Sequence, residues 1–241
     1  MTRDAVYPTT SPITPNLRRD AFIIVAAYNE GPAIAEVIAE LRRDYDNVVV
    51  VDDGSNDDTA DRARLHATYV LSHAVNRGQG AALQTGIEFA LERGARFVVT
   101  FDADGQHRVE DIAALLSPIA AGECDIALGS RFLGQSENMP SARRWALKLA
   151  VFFTRVVNRV RLTDAHNGLR AFSRRAAERI NITLDRMAHA SELIDQIRAS
   201  GLPFQEVPVR IRYTEYSIRK GQSTRGAIRI VIHYLLGKVF Q

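Results

Sequence analysis

Two aspartates separated by one residue follow an apolar run in the segment FDADGQH, residues 101–107. Asp102 and Asp104 leave the end of a predicted strand, and Gln106 follows the next glycine. Oxygen ligands grouped in this way suit Mg²⁺ or Mn²⁺, which can bridge the oxygens of a diphosphate. The segment therefore indicates a metal site that would neutralise a departing diphosphate. The alternative is that both aspartates only cap the following turn and helix.

A second acidic turn follows an apolar run in VDDGSNDDTAD, residues 51–61. Asp52 is placed to accept hydrogen bonds from the base or ribose of a nucleotide, as acidic residues at strand ends do in nucleotide-binding folds. A turn followed by a helix cap accounts for Asp57 and Asp58.

The glycines of NRGQGAAL, residues 76–83, would let the backbone approach a ligand ahead of a helix N-terminus. The spacing is not that of a dinucleotide-binding fingerprint, because Leu83 stands where the third glycine belongs. A tight loop without a ligand explains these glycines equally well.

Five short β-branched runs alternate with four helical patterns between residues 21 and 130. The runs are at 22–28, 48–52, 67–72, 97–102 and 125–130, and the helical patterns are at 31–44, 57–66, 79–93 and 109–121. Apolar runs of this kind are buried on both faces, and right-handed crossovers join parallel strands. The order predicts an α/β fold with a doubly wound, mainly parallel sheet. Its ligands should bind at the carboxyl ends of the strands, where the polar segments above lie.

The remaining chain is predicted to be less regular. Helices are expected at 141–160, 188–200 and from about 224, a strand at 203–213 and a short element at 169–173. Residues 1–20, with Pro8, Pro12 and Pro15, lack an apolar period and are predicted to be a disordered tail. A single cysteine and no signal-peptide pattern lead us to expect a cytoplasmic protein, and no apolar run is long enough to span a bilayer.

The charge is divided unevenly along the 241 residues. Residues 1–139 carry 12 basic and 21 acidic side chains, whereas residues 140–241 carry 19 basic and 7 acidic ones. A cationic second half suits phosphate groups or an anionic lipid surface. No nucleic acid partner is expected, because no reading motif is present.

Basic residues recur at helical spacing in two segments of the second half. One segment carries Arg144, Lys148 and Arg155, and the other is the C-terminal helix 226–241. Amphipathic helices of this kind contact a membrane surface or a protein partner. The alternative is a helix that packs on the core and keeps a solvated basic side.

Six motifs occur in an order that resembles family 2 glycosyltransferases of the GT-A fold, most closely the dolichol-phosphate and polyprenyl-phosphate sugar synthases. The motifs are AYNE (27–30), DDGS (52–55), NRGQGAAL (76–83), DADGQH (102–107), GSR (129–131) and TDAHNGLRAF (163–172). The resemblance implies a nucleotide-diphospho-sugar transferase domain over residues 21–225.

The resemblance also implies an activity and a set of site residues. The activity is transfer of a hexose from a UDP-, GDP- or dTDP-linked sugar to polyprenyl phosphate with inversion, assisted by Mg²⁺ or Mn²⁺. Asp102, Asp104 and Gln106 would hold the metal, and Asp104 and Arg131 would act in catalysis. The residues implied to contact the nucleotide sugar are Ala26, Tyr28, Glu30, Asp52, Gly80, Asp102, Ala103 and Asp104.

Four basic residues are candidates for binding the acceptor phosphate, because cationic side chains suit phosphate oxygens and arginine binds them bidentately. They are Arg131, Arg170, Arg219 and Lys220. The loop that carries the last two departs from the family pattern, since Ile218 and Thr224 replace the usual Arg and Lys. We expect binding to the cytoplasmic face of a membrane, directly or through a small membrane-anchoring protein. A homo-oligomer is also possible.

The nature of the acceptor separates two enzymatic alternatives. A lipid phosphate is already ionised, whereas a saccharide or small-molecule hydroxyl needs a general base. Glu192 is the candidate general base for a hydroxyl acceptor. The alternative interpretation is that Glu192 is an ordinary glutamate on a helix surface.

The Asp-x-Asp-Gly string also resembles haloacid-dehalogenase-like phosphatases, which carry it on their first strand. A non-enzymatic membrane scaffold would bind no nucleotide.

Overall fold

The computed structural model describes residues 14–137, 162–164, 167–184 and 189–213. The strands among them are β1 (Ala21–Ala27), β2 (Asn47–Asp52), β3 (Tyr69–Ser72), β4 (Phe97–Asp102), β5 (Ile126–Glu137), β6 (Arg170–Ser173) and β7 (Phe204–Arg212). The helices are α1 (Pro15–Asp20), α2 (Gly31–Asp44), α3 (Thr59–His66), α4 (Gln79–Glu92), α5 (Glu110–Ala120), α6 (Arg174–Ala177) and α7 (His189–Ser200).

The seven strands form one sheet in the order β3-β2-β1-β4-β6-β5-β7. Strands β1 to β4 run parallel to one another, as β5 does to β7, whereas β6 runs antiparallel between β4 and β5. The prediction of a mainly parallel α/β sheet is confirmed. The short element expected at 169–173 is the antiparallel strand.

Both faces of the sheet are covered, which explains why its strands are continuous apolar runs. Successive side chains of a strand point to opposite faces. Ile23 accordingly packs with α2 and α5, while Ile24 packs with α4 and α7. The sheet is therefore doubly wound.

The register of the central strands sets the distance between the two acidic turns. Ala26 is paired with Asp102 on one side of β1, and Ala27 is paired with Asp52 on the other. The two aspartates therefore flank the end of β1, about 10 Å apart if neighbouring strands keep their usual spacing.

Part of the predicted tail is ordered. Residues Pro15–Asp20 form a helix whose first turn is capped by Thr14, and Arg18 pairs with Asp46 at 2.8 Å. The expectation of disorder was wrong here, because a capping threonine followed by proline at the first helical position favours a helix. The predicted helices at 141–160 and 226–241 lie outside the described residues. Within the described part, no helix is long and apolar enough to cross a bilayer.

Candidate active site

The acidic motif lies at the end of β4, and each of its side chains has defined partners. Asp102 has His107 Nε2 at 2.9 Å from Oδ2, and it accepts a hydrogen bond from the side-chain amide of Gln79 at 3.1 Å. Asp104 accepts hydrogen bonds from the backbone and the side-chain amide of Gln106. His107 thus contacts Asp102 directly.

Burial and charge act differently on the two carboxylates. Burial, followed by the charge of Asp102, raises the pKa of Asp104 above its usual value. Burial would also raise the pKa of Asp102, but the hydrogen bond with His107 and the positive charges of His107, Arg170 and His189 lower it. Burial and the neighbouring charge of Asp102 thus make the ionised form of Asp104 unfavourable. A divalent cation bound to both carboxylates would relieve the repulsion between them.

The donor set fits Mg²⁺ or Mn²⁺ bound together with a diphosphate. Asp102, Asp104 and Gln106 offer oxygen atoms, which these hard cations prefer. Within the described residues no group of three His, Cys, Asp or Glu side chains is arranged to hold a metal. Metals that bridge substrate phosphates commonly take one or two carboxylates from the protein, and Asp102 and Asp104 would suit that role.

Open space adjoins this motif. A cleft of about 350 Å³ lies between α2 and the loop after β4. Its lining includes Pro32, Glu36, Glu40, Asp104, Gln106 and Arg212. Asp104 and Gln106 are thus accessible to a ligand.

Gly168, within the motif TDAHNGLRAF, packs directly against Asp102. A β-carbon added at Gly168 would overlap the carboxylate of Asp102, so a larger residue would displace that side chain. The hydroxyl of Thr100 donates to the carbonyl oxygen of Gly168 at 2.7 Å, and Asn167 Oδ1 accepts from the amide of Leu169 at 2.9 Å. The motif therefore helps to position the carboxylate of Asp102.

The adjacent aspartates at the end of β2 have different environments. Asp53 accepts hydrogen bonds from the amides of Arg77 and Gly78 at 2.9 and 2.6 Å, and it lies 2.7 Å from His73 Nδ1. Asp52 accepts one long hydrogen bond, from the amide of Ser55 at 3.3 Å. Asp53 thus fixes the loop that leads into α4, which leaves Asp52 as the better candidate for a nucleotide contact.

The AYNE and DDGS segments are bonded to each other. The amide of Asn29 donates to Ser55 Oγ at 2.9 Å, and the amide of Asn56 donates to Asn29 Oδ1 at 2.9 Å. Tyr28 is 40% exposed beside this junction. The two motifs form one structural unit at the carboxyl-terminal edge of the sheet.

The start of α2 is attached to the same unit. The amide of Glu30 donates to Thr59 Oγ1 at 2.8 Å, and the amide of Gly31 donates to Asp57 at 3.1 Å. Asp57 also accepts from the amide of Thr59 at 3.0 Å, so the predicted capping role is accompanied by a long-range one. Glu30 is buried, Ala26 is half-buried at the end of β1, and Ala103 is buried beside Asp102.

Gly80 is explained by packing. A β-carbon at this position would lie 2.3 Å from the carbonyl oxygen of Leu184 and 2.9 Å from Cβ of His189. The glycine allows α4 to approach the segment before α7 closely. Its contact with a nucleotide sugar stays a prediction.

Arg131 is held inside the protein by Asp164. Its backbone amide and Nε donate to Asp164 Oδ2 at 3.1 and 2.6 Å, and an Nη atom donates to the hydroxyl of Tyr213 at 2.9 Å. Burial would lower the pKa of Arg131, but Asp164 and Tyr213 raise it. The guanidinium is therefore charged and has a fixed orientation.

Arg170 on β6 is 5% exposed. Burial lowers its pKa, against the opposing effect of the Asp102 and Asp164 carboxylates. Arg170 is thus a buried cation that interacts electrostatically with both aspartates. Its predicted contact with an acceptor phosphate is untested, and Arg219 and Lys220 lie outside the described residues.

Glu192 lies in the first turn of α7 and binds a neighbouring loop. Its carboxylate accepts hydrogen bonds from the amides of Thr183 and Leu184, both at 2.9 Å, and from the hydroxyl of Thr183 at 2.5 Å. These contacts give Glu192 a structural role. They provide no support for its prediction as a general base.

Several contributors to the site were not identified from the sequence. Gln79 stands in the first turn of α4 inside a glycine-rich motif, and that position was an available indication of its contact with Asp102. Asp164 lies inside the motif TDAHNGLRAF, but the sequence assigned it no role. Glu206 on β7 accepts hydrogen bonds from the amides of Thr163 and Asp164. It is a single glutamate in a strand, and no local sequence pattern distinguishes it.

The chain belongs to glycosyl transferase family 2, whose model matches residues 22–180. It is therefore a glycosyltransferase. The acidic motif lies at the end of β4, whereas the phosphatase alternative would carry this motif on the first strand. Among its relatives is an uncharacterized protein of Methanocaldococcus jannaschii, 38% identical, with 92% of this chain and 93% of that protein aligned.

Two further relatives have assigned activities. The UDP-N-acetylglucosamine–dolichyl-phosphate N-acetylglucosaminyltransferase of Methanococcus voltae is 32% identical over 90% of this chain and 96% of its own length. The polyprenol monophosphomannose synthase of Mycolicibacterium smegmatis is 31% identical over 90% of this chain and 86% of its own length.

The fold is also found in a solved structure. Glucosyl-3-phosphoglycerate synthase from Mycobacterium tuberculosis, crystallised with Mn²⁺, uridine diphosphate and glucosyl-3-phosphoglycerate, superimposes with a TM-score of 0.71 at 19% identity. The match covers 97% of this chain and 86% of that chain. The expected GT-A fold is confirmed.

Proposed function

We propose that this glycosyltransferase transfers a hexose from a nucleotide-diphosphate sugar to polyprenyl phosphate with inversion. The main support is that two relatives, 32% and 31% identical to this chain, have names that specify a dolichyl phosphate acceptor and a polyprenol monophosphomannose product. Each is aligned over 90% of this chain, so the likeness includes both halves of the molecule.

The donor would bind across the ends of β1, β2 and β4. Asp52, Glu30 and Tyr28 are suited to contact the nucleoside, while Asp102, Asp104 and Gln106 would hold Mg²⁺ or Mn²⁺. The bound cation would neutralise the charge that develops on the nucleoside diphosphate as it leaves. Gln79 and His107 keep the Asp102 carboxylate in one orientation.

The environments of three carboxylates favour a phosphate acceptor over a hydroxyl acceptor. Glu192 binds the loop at 183–184, Glu206 binds the segment 163–164, and Asp164 binds Arg131. Each of these carboxylates is engaged in hydrogen bonds within the protein, which supports a structural role for it over that of a general base. A polyprenyl phosphate needs no base, because it is ionised near neutral pH and needs only orientation by cations. Among the basic residues in the described part of the chain, we assign Arg131 to a substrate phosphate.

The experiment is release of nucleoside diphosphate from UDP-, GDP- and dTDP-sugars with Mn²⁺, with and without polyprenyl phosphate. Lipid-dependent release from one donor, lost in Asp104→Asn, is the expected result. Asp61→Asn is the matched control, since Asp61 is 82% exposed on α3 and should leave release unchanged. Release that is independent of the lipid but depends on an added saccharide would replace this proposal with the hydroxyl-acceptor alternative.

We further propose that the protein works at the cytoplasmic face of a membrane as a peripheral enzyme. The support is the basic amphipathic pattern at 141–160 and 226–241, together with the lipid phosphate named for the Methanococcus voltae relative. Flotation with vesicles that contain anionic lipid tests this association. Failure to float, with or without membrane extract that could supply an anchoring protein, would contradict it.

A further inference from the structure

Glu206 on β7 binds the beginning of the motif TDAHNGLRAF. The amide of Thr163 donates to both carboxylate oxygens of Glu206, at 2.8 and 2.9 Å. The hydroxyl of Thr163 and the amide of Asp164 add hydrogen bonds of 2.8 and 3.1 Å. One carboxylate therefore holds two consecutive residues in place.

The segment that Glu206 holds is the one that fixes Arg131. Asp164 is 3% exposed and accepts two hydrogen bonds from Arg131, one from the backbone and one from the guanidinium. Thr163 adds a second link to the same strand through Ser130, whose hydroxyl oxygen is 2.6 Å from that of Thr163. A shift of residues 163–164 would therefore move the partner that orients the guanidinium.

The strand register gives this arrangement its stiffness. Glu206 is paired with Leu128 on β5, three residues before Arg131, and Val207 and Pro208 continue the pairing. Tyr213, directly after β7, holds the other side of the Arg131 guanidinium. Strand β7 thus supports Arg131 from two points, through Glu206 and through Tyr213.

We propose that Glu206 is a positioning residue for Arg131. It holds Thr163 and Asp164 so that Asp164 presents the Arg131 guanidinium to a substrate phosphate. This role rests on the proposed function, in which Arg131 contacts phosphate. A glutamate that served only the stability of the fold would share the same contacts, so the experiment must measure coupling between Glu206 and Arg131.

The experiment is a double-mutant cycle with Glu206→Gln and Arg131→Lys. It is read on kcat and KM for polyprenyl phosphate and on the dissociation constant of the nucleoside diphosphate with Mn²⁺. Glu206→Gln alone should reduce kcat/KM or nucleotide affinity about 10- to 100-fold, since small displacements of a positioning group have effects of that size. In the Arg131→Lys background the same change should cost less than about 3-fold, because coupled residues are not additive.

Equal effects of Glu206→Gln in both backgrounds, or a loss of thermal stability with unchanged kinetics and nucleotide affinity, would overturn the proposal. Glu178→Gln is the matched control, because Glu178 forms an exposed ion pair with Arg174 and should change neither quantity. If Glu206→Gln does not fold, Thr163→Val removes the hydroxyl contacts with Glu206 and Ser130 but keeps the amide links to Glu206. It should show a weaker form of the same coupling, with Thr163→Ser restoring activity. A wild-type enzyme without lipid-dependent turnover would refute the proposed function, and the nucleotide measurement would still decide the role of Glu206.

Discussion

Gly168 lies so close to Asp102 that a β-carbon at residue 168 would overlap the carboxylate of residue 102. The two residues belong to motifs that are far apart in the sequence. Thr100, two residues before Asp102, donates to the carbonyl oxygen of Gly168 and holds the two motifs in this register. Gly168 of the second motif therefore belongs to the acidic site.

Gly168→Ala should reduce turnover about 100-fold, because the new methyl group displaces Asp102, and misplacement by about 1 Å has an effect of this size. The measurement is kcat with saturating donor. Gly122→Ala is the control, since its β-carbon meets nothing within 4 Å although φ is 75°. That control should lose about 1 kcal/mol of stability from the left-handed backbone and keep its activity. Equal activity in the two variants would show that the Gly168 contact is unimportant.

Substitution of the two adjacent aspartates at the end of β2 should affect different properties, namely stability for Asp53 and nucleotide binding for Asp52. Asp53→Asn places an amide group against buried backbone donors and should lower the free energy of unfolding by about 1–3 kcal/mol. Asp52→Asn should leave stability nearly unchanged and weaken binding of the donor nucleotide. Urea denaturation and calorimetric titration of the nucleoside diphosphate measure the two effects. A large stability loss in Asp52→Asn would contradict the assignment.

Metal and nucleotide should stabilise the fold together. Because we propose that the metal is held jointly by the acidic motif and the nucleoside diphosphate, Mn²⁺ with UDP or GDP should raise Tm more than the sum of the two ligands added singly. At a ligand concentration of 100 Kd the gain is about 2.7 kcal/mol. Differential scanning fluorimetry measures the shift, and EDTA should reverse it. Asp104→Asn should lose the joint effect and Asp61→Asn should keep it.

Glu192→Gln should retain most of the turnover with polyprenyl phosphate. It weakens the hydrogen bonds to Thr183 and Leu184, so a stability loss of about 1 kcal/mol is expected. Kinetics and urea denaturation of the same preparation separate the two quantities. Abolished turnover in a folded variant would restore Glu192 as a general base and favour the hydroxyl acceptor.

Asp111 should make stability depend on pH. Burial raises the pKa of its carboxyl group, against the opposing hydrogen bond and charge of Arg210. The protonated form is thus favoured in the folded state, and its contribution to stability decreases as pH rises from the unfolded pKa through the raised one. Asp111→Asn lacks this change. The stability difference between wild type and variant should be more favourable to wild type at pH 4 than at pH 7, measured by urea denaturation.

The sequence predicted the elements of the first half well, because each strand and helix there has its own apolar period. The predicted run at 97–102 matches β4, and the predicted helix at 31–44 matches α2. Insertion of β6 between β4 and β5 could not be predicted in the same way, since the neighbour of a strand is decided by contacts distant in sequence.

The site was predicted in its acidic centre but not in its supporting residues. Asp102 and Asp104 stand in a recognisable order of motifs, whereas Glu206 acts through a loop about 40 residues away. Arg170 was predicted to bind the acceptor phosphate, a contact that stays a prediction, and the structure adds that its side chain is buried and interacts electrostatically with Asp102 and Asp164. The type and spacing of an arginine do not reveal whether its partner is a ligand or an internal carboxylate.

The antiparallel strand β6 also fixes the order in which the molecule can be completed during synthesis. Thr100 on β4 pairs with Arg170 on β6, about 70 residues later in the chain. A nascent chain that ends after β5 already contains the four parallel strands β1 to β4. It lacks both Gly168 and Arg170, so Asp102 has neither its close neighbour nor its buried counter-charge. Asp102 therefore acquires these two supports only once β6 has been added to the sheet.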